Sequence, residues 1–221
     1  MPKTFSDEPK GLVIAYIGAG KGKTTAAVGL AARASGAGMN VFILQFVKAV
    51  QSSSAKKEEG EWPVSSEIDF FNKISRHLKY NNHYPHPADA GHLLPRGEGN
   101  IGLIASEQVG LGFVGILGDK KQRETHMRQA LQGVERAREL LTSGEYQLII
   151  LDEIISALEL KLIEERDILD LISIKPKDVH IAMTGHNKFP AIMKVCDLVT
   201  EMKMLKHPYY KGILAQRGID Y

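Results

Sequence analysis

Five short apolar runs lie along this chain, at positions 11–17, 41–47, 148–151, 179–184 and 197–202. In these runs the apolar side chains are mostly consecutive rather than alternating, which is typical of strands buried on both faces of a parallel sheet. Segments with helical spacing or small residues separate several of the runs. This alternation predicts an α/β fold, with three layers and a mainly parallel sheet.

Helices are predicted between the runs, at 26–34, 123–141, 162–172 and 190–196. In the segment 123–141 apolar residues recur at helical spacing and predict the buried face. The members of that face are Met127, Leu131, Val134, Ala137 and Leu141.

The strand–helix rhythm breaks between the second and third runs. The segment 49–112 is polar at first and then rich in Pro, Gly, Asn and His, with one short helix predicted at 68–78. So long a stretch without regular elements is uncommon in a compact domain and is often functional or mobile. We therefore predict a single domain, 1–221, that carries an irregular insertion at 49–112 and a C-terminal tail at 203–221.

A glycine-rich loop follows the first predicted strand and leads into the first predicted helix. It consists of Gly18, Ala19, Gly20, Lys21, Gly22, Lys23, Thr24 and Thr25. The backbone N–H groups at a helix start, together with the cation of Lys23, favour an anion, and the hydroxyl of Thr24 can ligate magnesium held on phosphates. In the standard phosphate-binding loop the first glycine comes one residue earlier, where this chain has Ile17. The loop predicts that the chain binds a nucleoside triphosphate.

Two carboxylates, Asp152 and Glu153, come directly after the apolar run 148–151. In an open α/β sheet such strand ends line the ligand crevice, where a carboxylate can hold magnesium or position a reactant. The alternative is a structural one, in which the pair only caps the following helix. The glycine loop on the same chain favours the magnesium site.

Composition restricts the partners. The net charge of +2 and the lack of a basic run with interleaved aromatics argue against nucleic acid. No apolar run approaches the roughly 20 residues that cross a membrane. The N-terminus carries Asp7 and Glu8 and has no apolar core, so we do not expect a signal peptide. The lone Cys196 indicates a reducing compartment. We expect a cytoplasmic protein.

Four segments of the chain resemble the P-loop ATP:corrinoid adenosyltransferases. They are the loop and helix from Gly20 to Ala34, the tetrad Gln45 to Lys48, the strand end Leu151 to Ile154, and the tail from Asp197 to Tyr221. The tail is the most specific of the four. With the residues around them, these segments span 11–48 and 112–221.

The resemblance implies an enzyme that transfers the 5′-deoxyadenosyl group of ATP to the Co(I) centre of a corrinoid and releases triphosphate. Lys23 and Glu153 would be catalytic, and magnesium (or manganese) would lie on Thr24, Asp152 and Glu153. The glycine loop would bind the nucleotide, with Lys21 and Lys23 neutralising the triphosphate. The resemblance also implies a homodimer and a flavoprotein reductase as partner.

Four further residues acquire roles from the same resemblance. Arg33, Gln45 and Lys48 would lie near the nucleotide, and Phe113 would contact the corrin. The family carries an aromatic pair at the Gly112-Phe113 step, whereas here Val114 follows and the one tryptophan is Trp62.

The histidines of the insertion suggest that 49–112 closes over the second substrate; they are His77, His83, His86 and His92. Two other functions remain open from the residues alone. One is a P-loop ATPase or phosphotransferase with a different second substrate. The other is a non-catalytic, nucleotide-gated protein that binds a tetrapyrrole.

Overall fold

A computed structural model describes residues 10–47, 70–71, 73, 101–112, 114, 121–214, 216 and 218–219. The strands are β1 Val13–Ile17, β2 Val41–Gln45, β3 Ile104–Gln108, β4 Leu148–Asp152, β5 His180–Thr184 and β6 Leu198–Glu201. The α-helices are α1 Lys23–Gly36, α2 Arg123–Thr142, α3 Ile154–Glu159, α4 Glu165–Ile174 and α5 Pro190–Val195, and a 3₁₀ turn spans Pro208–Lys211.

The six strands form one sheet in the order β3-β2-β4-β5-β1-β6. Every hydrogen-bonded pair of neighbours is parallel. Successive residues of one strand pack into different cores: Ile43 faces a cluster that contains α1, whereas Phe42 and Leu44 face a cluster that contains α2 to α5. Helices therefore cover both faces of the sheet, which explains the consecutive apolar runs and confirms the predicted three-layer α/β fold.

Strand β3 corrects the prediction of irregular structure up to residue 112. It pairs in parallel with β2 at the edge of the sheet, and only Ile104 of its five residues is buried. An edge strand with one buried side chain lacks the apolar run on which the prediction depended. Helix α3, directly after β4, was expected only in the alternative in which Asp152 and Glu153 cap a following helix.

The buried face of α2 differs from the predicted one. Val134, Ala137 and Leu141 are buried as expected, whereas Met127 and Leu131 are 37% and 45% exposed. Helix α2 comes closest at Gly133, which lies against the residues just after β2 and β3. A Cβ on Gly133 would lie 2.7 Å from Val109 Cγ2 and 2.9 Å from a ring carbon of Phe46, so this close approach favours glycine.

Most of the insertion lies outside the described residues. This holds for most of the helix predicted at 68–78, of which residues 70, 71 and 73 are described and helical, for Trp62 and for the histidines at 77, 83, 86 and 92. Among the residues that the structure describes, no helix combines the length and the apolar character needed to cross a membrane.

A polar cluster ties the amino ends of the strands together. Lys175 Nζ donates to the carbonyls of Gly11 (2.9 Å), Pro176 (2.9 Å) and Val179 (2.8 Å). Asp197 accepts from the Val13 N–H (2.9 Å) and from Lys10 (2.6 Å). Burial lowers the pKa of Lys175, and the hydrogen bond from Lys10 lowers the pKa of Asp197.

Candidate active site at the carboxyl ends of the strands

The glycine loop joins β1 to α1 and lies against the segment that follows β6. Gly18 and Gly22 have φ values of 107° and 104°, in the region that favours glycine. Gly18 donates its N–H to the His186 carbonyl (2.9 Å), and Gly20 donates to the Met202 carbonyl (2.8 Å). A Cβ on Gly18 or Gly20 would lie 2.4 or 2.7 Å from the Met202 oxygen. These two glycines therefore shape the loop through contacts within the protein.

Lys23, the first residue of α1, is only 6% exposed. Its Nζ donates to the carbonyls of Gly18 (2.9 Å) and Gly20 (3.0 Å), so the side chain curls back under the loop. Burial lowers the pKa of Lys23, and the nearby negative charges of Glu153 and Asp152 oppose that shift. The ammonium thus lies between the loop and two carboxylates at the start of a helix.

Asp152 ends β4 and is 1% exposed. Its Oδ1 accepts hydrogen bonds from the hydroxyls of Thr24 (3.0 Å) and Thr184 (2.8 Å). Its Oδ2 accepts from the side-chain amide of Gln45 (2.9 Å). A buried carboxylate is costly unless its oxygens are hydrogen-bonded, and here the partners come from α1, β5 and β2.

Glu153 follows with a φ of 64°, which is uncommon for a residue other than glycine. Its N–H donates to the Thr184 hydroxyl (2.8 Å), and its carboxylate accepts a short hydrogen bond from Ser156. The Ser156 hydroxyl also lies 3.1 Å from His186 Nδ1. Glu153 occupies the N-cap position of α3, where its carboxylate contacts Ser156 and makes no capping bond to the helix backbone.

The structure brings together most of the residues predicted for the site. The glycine loop, Gln45, Asp152 and Glu153 all lie at the carboxyl end of the sheet. Arg33 does not join them, because it is exposed in the last turn of α1, about 15 Å along the helix axis from Lys23. Lys48 and Phe113 lie outside the described residues.

Three residues form hydrogen bonds with Asp152, Gln45 or Glu153 but were not predicted for the site. Thr184 ends β5, Gln108 ends β3, and Ser156 lies on α3. The signal that could have identified Thr184 is a polar residue at the end of an apolar strand. No such signal existed for Gln108, because its strand was itself missed.

The donor set fits magnesium. Thr24, Asp152 and Glu153 offer a hydroxyl and two carboxylates, and the Thr24 hydroxyl is 3.0 Å from Asp152. Magnesium prefers such oxygen ligands and takes the remainder from phosphates and water. Within the described part of the chain, no three His, Cys, Asp or Glu side chains form a metal-binding group.

The sequence matches the model of one protein family over residues 9–221, described as ATP:corrinoid adenosyltransferase BtuR/CobO/CobP. Similar curated proteins carry related names. A corrinoid adenosyltransferase of Sinorhizobium sp is 28% identical over 99% of this chain and 83% of its own length. A corrinoid adenosyltransferase of Pseudomonas aeruginosa is 28% identical over 97% of this chain and 85% of its own length. The corrinoid adenosyltransferase CobA of Salmonella typhimurium is 24% identical over 98% of this chain and 88% of its own length.

Proposed function

The chain belongs to the ATP:corrinoid adenosyltransferase family, and from this premise we propose how its own residues transfer the 5′-deoxyadenosyl group of ATP to a corrinoid. One observation carries the proposal: a buried lysine and a buried aspartate meet at the glycine loop of a chain that matches the family over 9–221.

The reaction is a substitution at carbon. The cobalt–carbon bond forms with the electron pair of Co(I), and the bond between C5′ and its oxygen breaks, with that electron pair leaving on triphosphate. A leaving group with so many charges needs electrostatic stabilisation where the charge develops. The carbon must also be presented in line with the cobalt.

The glycine loop would hold the triphosphate. Its conformation directs the start of α1 toward the ligand, where the N–H groups of a first helical turn favour an anion. The Lys23 ammonium is buried beside the start of this helix and already donates hydrogen bonds to two loop carbonyls. The exposed ammonium of Lys21 would add charge from the solvent side. The remaining loop residues, including Ala19 and Thr25, would contribute to triphosphate binding through their backbone rather than their side chains.

Magnesium, or manganese, would neutralise further charge on the triphosphate when bound. Thr24 and Asp152 would hold it, since their oxygens already lie together. Glu153 would lie on the same side and contact the ion or its water, and its backbone is fixed for that purpose by Thr184. Gln45 would act through Asp152 rather than on the nucleotide itself.

The other assignments depend on the resemblance. Lys48 would reach the phosphates, and Phe113 would contact the lower face of the corrin. The role near the nucleotide that the resemblance implies for Arg33 is not proposed, because Arg33 lies in the last turn of α1, away from the glycine loop. A homodimer, a flavoprotein reductase that supplies Co(I), and a cytoplasmic location complete the proposal.

An assay of the products tests this function. The protein is incubated anaerobically with ATP, magnesium and chemically reduced cobalamin, and adenosylcobalamin is followed by its absorbance while the inorganic product is identified. We expect adenosylcobalamin and triphosphate in equal amounts. Release of ADP and phosphate without adenosylcobalamin would instead identify an ATPase or phosphotransferase, and ATP binding without turnover would identify a binding protein.

A pair of variants tests the role of Glu153. Glu153→Gln keeps the shape and removes the charge, and we expect the rate of adenosylation to fall about 100-fold. Glu124→Gln is the control for the loss of one negative charge, because Glu124 is exposed in the first turn of α2. Equal rates for the two variants would exclude Glu153 from the reaction.

A further inference from the structure

A row of side chains crosses three adjacent strands at the carboxyl end of the sheet. Gln45 is the register partner of Gln108 on β3 and of Asp152 on β4. Because register partners in a parallel sheet project to the same face, the three side chains lie next to one another. The row therefore links the exposed edge of the sheet to the buried carboxylate of the site.

The hydrogen bonds along this row run in one direction. The Gln108 amide nitrogen donates to Gln45 Oε1 (2.9 Å), and the Gln45 amide nitrogen donates to Asp152 Oδ2 (2.9 Å). Gln45 is fully buried, so both ends of its amide need partners. A carboxylate only accepts hydrogen bonds, and the reverse orientation of Gln45 would therefore place two oxygens against each other.

The other oxygen of Asp152 faces the ligand side. Oδ1 accepts from Thr24, the residue on which magnesium is proposed to lie, and from Thr184. The carboxylate is planar, so the bond from Gln45 to Oδ2 acts together with the bond from Thr184 to set the direction of Oδ1. The donor that Gln108 supplies thus contributes to the orientation of an oxygen that Gln108 does not touch.

We propose that Gln108 is a positioning residue for the metal ion of the nucleotide complex: it orients the Gln45 amide, which in turn directs Asp152 Oδ1 toward Thr24. The inference rests on the proposed function, in which Asp152 helps to hold that ion. Gln108 is a suitable point of control because it is only half-buried at the edge of the sheet, where a substitution disturbs little packing.

Three substitutions at one position separate this relay from a simple effect of charge. Gln108→Met removes the donor, Gln108→Glu replaces it with an acceptor, and Gln108→Lys supplies a donor again. The relay predicts that metal affinity decreases from wild type through Lys and Met to Glu. Charge alone predicts that Gln108→Glu binds the metal more tightly than Gln108→Lys, since an added carboxylate attracts a cation and an added ammonium repels it.

The probe is Mn²⁺, titrated into full-length protein saturated with ATP, with free Mn²⁺ measured by its EPR signal against an ATP-only reference. We expect the dissociation constant to rise about fivefold in Gln108→Met and at least about tenfold in Gln108→Glu, because a buried acceptor loses its donor. The affinity for ATP in EDTA is expected to stay within about twofold in all three variants. The Mg²⁺ concentration for half-maximal adenosylation should rise in parallel with the Mn²⁺ constant.

Gln132→Glu is the control for added charge, since Gln132 is exposed on α2 near β3 and is outside the row. It should leave Mn²⁺ binding unchanged. Equal affinities in all Gln108 variants, or tighter binding in Gln108→Glu than in Gln108→Lys, would overturn the inference while the proposed function stands. Wild-type protein that adds nothing to the binding of Mn²⁺ by ATP would overturn both the inference and the metal assignment.

Discussion

Lys23 and Lys175 lie at opposite ends of the same sheet and are bonded in the same way. Each points its ammonium at backbone carbonyls, two for Lys23 and three for Lys175. Burial lowers the pKa of both. Judged by hydrogen bonds and pKa alone, the two side chains would receive the same role.

The two lysines differ in the segments of backbone whose carbonyls they bind. Lys23 holds a loop of glycines at a helix start, with Glu153 and Asp152 close by. Lys175 instead holds Gly11, before β1, against the turn that leads into β5. The first arrangement leaves a place for an anion, and the second joins two segments of backbone. A buried lysine therefore indicates a binding site only when the groups around it do.

The largest expected effect belongs to Lys23. Lys23→Ala removes the buried cation beside the triphosphate, and we expect kcat/KM for adenosylation to fall by about 1,000-fold or more. The melting temperature should change by less than a few degrees, since the loop is anchored separately by His186 and Met202. A variant that keeps more than a tenth of the wild-type rate would remove the distinction between the two lysines.

Cys196 lies just before β6, at the amino end of the sheet, and its reactivity tests whether reagents reach that end. Burial, aided by the charge of Asp197, raises the pKa of this thiol to about 11. The thiol stays protonated as long as the pH lies well below that value, and only the thiolate reacts. At pH 8 we expect labelling by a disulfide reagent to be about 100-fold slower in the folded protein than after unfolding in guanidinium chloride. Comparable rates in both states would show that this end is open.

Gly20 tests the anchoring of the loop. A Cβ at this position would lie 2.7 Å from the Met202 oxygen, so Gly20→Ala should displace the loop and weaken ATP binding about tenfold, measured by calorimetry. Gly29→Ala is the matched control, because nothing lies within 4 Å of a Cβ there. That variant should bind ATP normally and be more stable by about 0.5–1 kcal/mol, since alanine favours the helix.

Lys175 is expected to show the smallest effect on function. Lys175→Met retains the aliphatic length and leaves three carbonyls without their shared donor, at a cost of about 1–2 kcal/mol in the free energy of unfolding. The melting temperature should fall by about 4 °C. The rate of adenosylation should stay within about twofold of wild type. A loss of activity at unchanged stability would mean that the two ends of the sheet are coupled.

Much of the fold follows from local sequence. Strands such as β2 and β4 are buried on both faces, so their composition alone identifies them, and β3 was missed because only Ile104 among its residues is buried. On α2 the periodicity predicted part of the buried face, but Met127 and Leu131 proved exposed. The close approach at Gly133 could not be predicted from periodicity, since glycine has no side chain that contributes to an apolar pattern.

The candidate site was predictable where its residues are close in sequence. The glycine loop and the pair Asp152 and Glu153 are local motifs, and the family resemblance drew attention to Gln45. Thr184 had a local signal, a polar residue at the end of an apolar strand, but its bond to Asp152 depends on the alignment of strand ends that are distant in the chain. Gln108 had no such signal, because its strand was missed, and its bond to Gln45 depends on the same alignment. Sequence spacing carries no information on that alignment until the strand order is known.

The anchoring of the glycine loop has a consequence for synthesis on the ribosome. The loop is complete by residue 25, yet the carbonyls that hold Gly18 and Gly20 belong to His186 and Met202. Strand β1 also lies between β5 and β6, two strands that are made more than 160 residues later. A nascent chain therefore carries its nucleotide motif without the partners that shape it until residue 202 has been made, and ATP can assist the folding of the loop only after that point.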